Sequence, residues 1–597
     1  MELASVALRN YKCYSSTEII PLFYNGEKYV GLIGENGVGK SAVFQALCTF
    51  FNGREWIRNK VSKAGASACG VAPIVHCADE SQLPKNLFSP DDIKILRKNS
   101  AAIRKNLKSL AERHDGLYLS CMLTQDDAVK LFDGRQSVES QDSLAKNLKE
   151  YLKASIKYVH ISAEEDIDDS ASINSETTEL IKGSGVVGEI TKVLKTLDVS
   201  GKGIADVIND TVVSYLKDDV IKKLQEVDPE YDYKNLRQGA RSKLSEKNIS
   251  ELATQALFGN RELTKKSGGR DIGLSEMSSG QRRRAFLDFI IVMINNLEPR
   301  ERIKVILSID EPEISVDAGS RIQQFDKLRD LAKSGVNVAF TTHWYGWITQ
   351  LTGGNAILIK EDDNGRQVIP NSVELFLEKD TQQKVPYEMR MMFDFLSSLG
   401  AWAESDAAKR FVLCEGITDY IYLSKHFDQY KIIPLRGRDE VVRLYKIFSD
   451  YYFRFDKKPS NIIFLIDTDP ESERLEVNKF KNLRRISRDS SGTMKVVENN
   501  DNYSEKCAIE DTLCPHPFLA AIKKAAADSQ QPVDTNFIDS LAVKYSDQLG
   551  PRAFGIDEVE KQKLKSFFKT EGIKKAVAES YEPSAEDIAA FKQLFSF

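Results

Sequence analysis

Much that would declare a function outright is missing from these 597 residues. The eight cysteines include no CxxC pair, and several sit in apolar runs such as Phe411-Val412-Leu413-Cys414. That pattern suits buried free thiols in a reducing compartment better than a disulfide framework. His76-Cys77 has no second pair at the spacing a zinc site needs, so zinc is not expected. Met1-Glu2-Leu3-Ala4 lacks the charged-then-apolar pattern of a signal peptide. The strongest apolar helix, Ala285 to Ile294, is broken by Asp288 and is too short to span a bilayer. A cytoplasmic protein without membrane contact is the expectation. No stretch is dominated by proline and glycine, so a folded chain of about two to four domains is expected from this length. The net charge of -5 does not advertise a nucleic-acid binder, although a local basic stripe would suffice for one.

What is present begins with an apolar run, Lys28 to Ile33, that reads as a buried strand. Gly34-Glu35-Asn36-Gly37-Val38-Gly39-Lys40-Ser41 follows, then an apolar-periodic helix from Ala42 to Phe51. This is the P-loop pattern GxxxxGK[ST] in its strand–loop–helix setting. Gly34, Gly37 and Gly39 let the backbone curl so that N–H groups, with that of Asn36, face a β-phosphate. Lys40 brings charge to the β- and γ-phosphates, and the Ser41 hydroxyl can ligate Mg2+. The expected cofactors here are ATP and Mg2+.

A second cluster, Met277-Ser278-Ser279-Gly280-Gln281, precedes a helix with apolar Ala285, Phe286, Phe289, Ile290 and Met293. Ser278, Gly280 and Gln281 thus sit at a helix N-terminus, a place suited to an anion. Val305 to Ile309 is an apolar strand ending in Asp310-Glu311. Asp310 is placed to hold the Mg2+ shell and Glu311 to polarise the attacking water. A further strand, Val336 to Phe340, leads to Thr341-Thr342-His343, at the edge where such sheets bind ligands.

In this order the motifs resemble the Walker A, signature, Walker B and switch histidine of the ABC-type ATPase heads of SMC, RecF and OLD proteins. The resemblance implies that Ser278 contacts the γ-phosphate held by a second subunit, so that ATP favours a homodimer or a higher homo-oligomer. It also implies that Arg9-Asn10-Tyr11-Lys12 runs beneath the nucleotide base.

Between Ser41 and Ser278, SMC-like proteins carry a long coiled coil. Here Gly183, Gly185, Gly188, Gly201, Gly203, Pro229 and Gly239 interrupt any heptad pattern. Thr191 to Leu197 and Ile204 to Val227 read as separate amphipathic helices. A compact helical insertion over 165–265, a plausible dimer contact, is expected within an ATPase domain spanning 1–400. The acidic run Glu164 to Asp169 reads as a solvated loop.

After a hairpin-like turn at Asn364-Gly365, a new α/β pattern occupies 405–597. Arg410 to Cys414 is a strand ending in Glu415-Gly416-Ile417-Thr418-Asp419. Lys431 to Leu435 is the next, and Asn461 to Ile466 ends in Asp467-Thr468-Asp469. Cys507-Ala508-Ile509-Glu510-Asp511 adds another acid. Parallel strands gather their carboxyl ends on one edge. Glu415, Asp467, Asp469 and Glu510 are therefore expected to converge, with Asp419 one helical turn away. Clustered carboxylates invite a cation, and oxygen-only ligands favour Mg2+ or Mn2+.

This order of strands and acids resembles the Toprim domain of topoisomerases, primases and OLD nucleases, a Rossmann-like α/β fold. An ATPase head followed by Toprim is the OLD layout, and it covers nearly the whole chain. The resemblance implies a metal-dependent DNA endonuclease or exonuclease controlled by an ATPase. It further implies a role in bacterial anti-phage defence, with a regulatory protein or retron nucleoprotein as candidate partner. A lysine near the C-terminus assists the metal in OLD nucleases. Lys574 and Lys575 match it, with Lys569 a competitor. Where the family commonly has Leu-His-Pro after Walker B, this chain has Ser315-Val316-Asp317.

The stretch Asn478 to Arg488 carries five basic residues and an aromatic. It is the candidate for salt-sensitive, sequence-independent DNA contact, against a solvated helix face. The competing reading of the whole chain is a RecF/SMC-like DNA-repair ATPase whose second domain mainly binds DNA. The complete set of acids argues against it.

Overall fold

The computed structural model describes residues 1–24, 26–53, 69–106, 116–138, 141–162, 203–215, 264–267, 270–273, 276–314, 316–349, 353–362, 365–372, 385–453, 461–468, 482–488, 494–498, 507–528, 535–545, 558–569 and 572–595, with a few isolated positions (56, 190, 193–195, 245, 249–250, 252). Most of the expected 165–265 insertion, the acidic run Glu164 to Asp169, Asp469, and Asn478 to Lys481 lie outside these residues. Within the insertion, Ile204–Tyr215 is a helix.

The chain divides into two compact units. One comprises Met1–Val316, Gln324–His343 and Gly354–Ser372, and the other comprises Asp317–Gln323, Trp344–Gly353 and Val373–Phe597. The first unit holds two six-stranded sheets. One is antiparallel throughout and runs in the order Tyr14–Pro21, Glu2–Tyr11, Gly70–Cys77, Leu117–Thr124, Val129–Phe132, Ser137–Val138. Gly70–Cys77 and Leu117–Thr124 are buried at every position, so the alternation that marks a half-exposed strand is absent. His76 and Cys77 end such a strand, and His76 packs against the Tyr118 ring at 5.0 Å.

The other sheet runs in the order Gly365–Ser372, Asn355–Asp362, Tyr29–Ile33, Asn337–Thr341, Val305–Asp310, Lys157–Ile161. All its pairings are parallel except the hairpin of Asn355–Asp362 with Gly365–Ser372. The P-loop strand, the two-acid strand and the strand before His343 are therefore neighbours, and their carboxyl ends share an edge. The helix Lys40–Asn52 buries ten of its thirteen residues. Val43, Phe44 and Leu47 join Leu8, Leu119, Tyr158 and Ile306 in one apolar core.

The second unit has a five-stranded sheet in the order Tyr430–Pro434, Arg410–Cys414, Ile462–Ile466, Leu483–Arg488, Met494–Glu498. Its first four strands are parallel and the last is antiparallel. Its core joins Val412, Leu423 and Leu465 to Ile522, Val577 and Phe591 from the C-terminal helices. The basic stretch enters this sheet as a strand, not a helix face, and Arg485 is fully buried. Arg485 is thereby removed from the candidate DNA contacts. No described helix is long and apolar enough to cross a membrane, and none of the eight cysteines is in a disulfide.

Candidate functional site

The first unit's site forms where Tyr29–Ile33 ends. Gly34, Gly37 and Gly39 all have positive φ, which side chains other than glycine rarely adopt. A Cβ on Gly34 would lie 2.2 Å from the Ile359 carbonyl oxygen, so that glycine answers to space as well as to φ. Lys40 folds back over the loop. Its Nζ donates to Gly34 O at 3.0 Å and Glu35 O at 2.9 Å, and lies 3.2 Å from His343 Nε2. A cleft of about 490 Å³ opens here, lined by Lys12, Asn36, Gly37, Lys40, Ser41, Glu311 and His343 among others. That volume falls within the range of ligand sites. Lys12 is what Arg9 to Lys12 contributes to the cleft. Tyr14 of the same hairpin donates its hydroxyl to Gly39 O at 3.1 Å.

The acids have individual partners. Asp310 is buried, and its Oδ1 accepts from the Thr341 hydroxyl at 3.0 Å. Burial raises its pKa to about 6, offset in part by hydrogen bonds from Ser41 and Thr341 and by the Arg283 charge. Arg283 donates to the Asp310 carbonyl. Glu311 has φ 48°, and its Oε1 lies 3.3 Å from His343 Nε2. The hydrogen bond from His343 holds its pKa low against partial burial. The single Nε2 of His343 is thus contested by Lys40 and Glu311.

Glu313 was not singled out by sequence reasoning. Its Oε1 accepts from the Thr342 hydroxyl at 2.8 Å and the His343 N–H at 2.7 Å, fixing the backbone that presents His343. The second acid in Glu311-Pro312-Glu313 was the available signal. Ser41 and Asp310, already hydrogen-bonded to each other around a buried carboxyl, fit a magnesium ion.

Ser278 caps the helix Ser279–Asn295. Its Oγ accepts from Gln281 N at 3.4 Å, and Gln281 Oε1 accepts from Ser278 N at 3.2 Å. Ser278 and Gln281 are exposed while Gly280 is buried. None of the three lines this chain's own P-loop cleft.

In the second unit Glu415 follows Arg410–Cys414 and Asp467 follows Ile462–Ile466, and these strands are adjacent. Glu415 Oε1 accepts from Asp467 N at 2.8 Å. Asp419 lies in the first turn of the helix Ile417–His426, where it accepts from Gly416 N at 3.1 Å. A two-way backbone bridge between Thr468 and Cys507, with bonds of 2.9 and 3.0 Å, brings the turn Ile509–Thr512 and Glu510 to the same edge.

Here the acids have one another. Asp419 is raised to about 8 by burial and by the charges of Glu510 and Glu415. Asp467 is raised far above the usual range by burial, then by Asp419, Glu415 and Glu510. Burial also raises Glu510, and Lys574 opposes that rise. Lys574 is on the helix Ile573–Ser580, whose C-terminal carbonyls at Ala578, Glu579 and Tyr581 accept from Lys425 Nζ at 2.5–2.9 Å. Lys575 instead lies 3.9 Å from Glu579. The electrostatics fit a cation. Among the described residues, which omit Asp469, no three His, Cys, Asp or Glu side chains are yet drawn together closely enough to ligate one.

Comparison with solved structures finds the Smc head domain of Pyrococcus furiosus with an extended coiled coil, bound to the C-terminal domain of ScpA. It is 14% identical, the match covers 65% of this chain and 99% of that one, and the TM-score is 0.35. The SMC head domain of Thermotoga maritima is 12% identical over 62% of this chain and 99% of that one, at a TM-score of 0.29. Likenesses of that score do not establish a shared fold. Comparison with curated proteins finds no match. The model of the AAA ATPase domain matches residues 1–344, the span that contains the P-loop, Ser278, Asp310, Glu311 and His343, and the chain belongs to that family of ATPases.

Proposed function

We propose that the chain is an ATP-hydrolysing, divalent-metal-dependent DNA nuclease of the OLD type. The first unit would be an ABC-type head acting as a homodimer, and the second a Toprim domain. The observation that carries the reading is the gathering of Glu415, Asp419, Asp467 and Glu510 at one sheet edge, where burial and then the charges of Glu510 and Glu415 raise Asp419, and burial and then the charges of Asp419, Glu415 and Glu510 raise Asp467. Mutual repulsion of this kind destabilises a fold unless protonation or a bound cation neutralises it. A divalent ion there would activate water and stabilise the leaving oxygen of a phosphodiester. Glu415, Asp467, Asp469 and Glu510 would hold it, and Lys574 would counter charge beside Glu510.

In the head, Lys40 would exchange the Gly34 and Glu35 carbonyls for the phosphates of a bound nucleotide, leaving His343 to Glu311, which would orient the attacking water. Ser278, exposed and not among the residues that line its own cleft, suits contact with the nucleotide of a second subunit. Anti-phage defence, in company with a regulatory or retron partner, is the biological setting that fits such a nuclease.

The test is cleavage of linear and supercoiled plasmid with Mg2+ or Mn2+ by the wild type, Asp467→Asn and Lys40→Ala. Metal-dependent cutting that Asp467→Asn abolishes supports the reading. Cutting that survives Asp467→Asn, or DNA binding without cutting in any metal, would favour the DNA-repair ATPase.

A further inference from the structure

Glu311 stands in a backbone conformation that its residue type rarely adopts. Its φ of 48° lies in the left-handed region that favours glycine, and a glutamate stays there only where its surroundings impose it. Hydrogen bonds on both sides of the residue do so. Glu311 N–H donates to Thr341 O at 3.0 Å and to Thr341 Oγ1 at 3.1 Å. The Glu311 carbonyl accepts from Ile314 N at 3.0 Å, closing a tight turn.

The remaining hold falls on the peptide that joins Asp310 to Glu311. The carbonyl and N–H of a trans peptide point in opposite directions. The Asp310 carbonyl therefore faces away from Thr341, to the side of the sheet where Lys157–Ile161 lies. The described pairing with that strand ends at Ile309, opposite Ile161. One residue past that last pair, Arg283 donates to the Asp310 carbonyl. Arg283 comes from the helix Ser279–Asn295 and borders a small cavity with Leu287, Ile309 and Pro312. Burial lowers its pKa, and the charges of Asp310, Glu313 and Glu311 oppose that fall. Arginine keeps its charge at any working pH, so the donor is permanent.

We propose that Arg283 is a positioning residue for Glu311. By holding the Asp310 carbonyl it fixes the peptide plane from which the Glu311 backbone turns. That turn sets the Glu311 carboxylate beside His343, on the nucleotide cleft. Arg283 does not line the cleft, so its influence on hydrolysis runs through Glu311. The inference rests on the reading of Glu311 as the acid that orients the attacking water.

The experiment measures single-turnover ATP hydrolysis with enzyme in excess, beside the affinity for a fluorescent ATP analogue. It compares the wild-type chain with Arg283→Met, Arg283→Lys, Glu311→Ala and the double variant Arg283→Met with Glu311→Ala. Arg283→Met should lower the rate about 100-fold, the scale of a small misplacement of a reacting group, with analogue affinity unchanged. Arg283→Lys, which keeps a charged donor, should recover part of the loss. In the double variant the rate should be no lower than in Glu311→Ala alone, because nothing is left to position. A double variant slower than Glu311→Ala by the full Arg283→Met factor overturns the proposal, as does a wild-type rate in Arg283→Met. Analogue affinity that falls as far as the rate also overturns it, since that is the signature of a packing role. If Glu311→Ala itself hydrolyses ATP at the wild-type rate, the reading of Glu311 falls instead.

Discussion

The two acid sites answer the same electrostatic problem in opposite ways. In the first unit each carboxylate has a dedicated protein partner: Thr341 and Ser41 for Asp310, His343 for Glu311, Thr342 and the His343 amide for Glu313. In the second, Asp419 and Asp467 are raised by burial and then by neighbouring acids, while Glu510 is raised by burial and opposed by Lys574. A site balanced from within can exist in working order before its ligand arrives. A site that is out of balance waits for charge from outside, and its geometry should tighten only when that charge is supplied.

The contrast is broken most severely by removing the one lysine on which the first site turns. Lys40→Ala should lower ATP hydrolysis by at least about 100-fold, the usual scale for losing a preorganised charge at a transferring phosphoryl group. The melting temperature should be nearly unaltered, because the acids nearby keep their own partners. Glu311→Gln should cost about as much in turnover while leaving ATP binding intact. A steady-state hydrolysis assay paired with nucleotide binding separates the two variants.

The second site should show its imbalance as a pH effect on stability. Asp419 has a folded pKa of about 8 against an ordinary 3.8, a raised value. Its stabilising contribution is therefore complete below about pH 4 and is lost as pH climbs through 8. Without divalent metal the melting temperature should fall across that window. Asp419→Asn should flatten the fall, and Mn2+ should reverse it in the wild type. A wild type and Asp419→Asn with parallel pH profiles would contradict this. Smallest of all, Lys574→Ala should tighten metal binding a few-fold, because it removes a positive charge that competes with the ion beside Glu510, and the effect is small because that charge is exposed and screened. Lys575→Ala should leave metal binding unchanged.

How much of this could be read from residues alone follows the range of each signal. The P-loop, the two-acid strand and His343 were legible because each is a short run whose periodicity and terminal residue say the same thing. The order of strands and acids in the second unit was legible for the same reason. Glu313 was not, because it acts on His343, about 30 positions away, and only the pairing of their two strands in the sheet brings them together. The basic stretch misled because charge suggests solvent. Arg485 nevertheless shares a strand face with buried Leu483, two residues before it, in a strand that lies between two others.

The most direct test of the contrast is the stoichiometry and affinity of Mn2+ binding, measured calorimetrically without nucleotide on the wild type, Asp310→Asn and Asp467→Asn. The account predicts that binding persists in Asp310→Asn and is lost in Asp467→Asn. Binding that Asp310→Asn abolishes and Asp467→Asn leaves intact would contradict it.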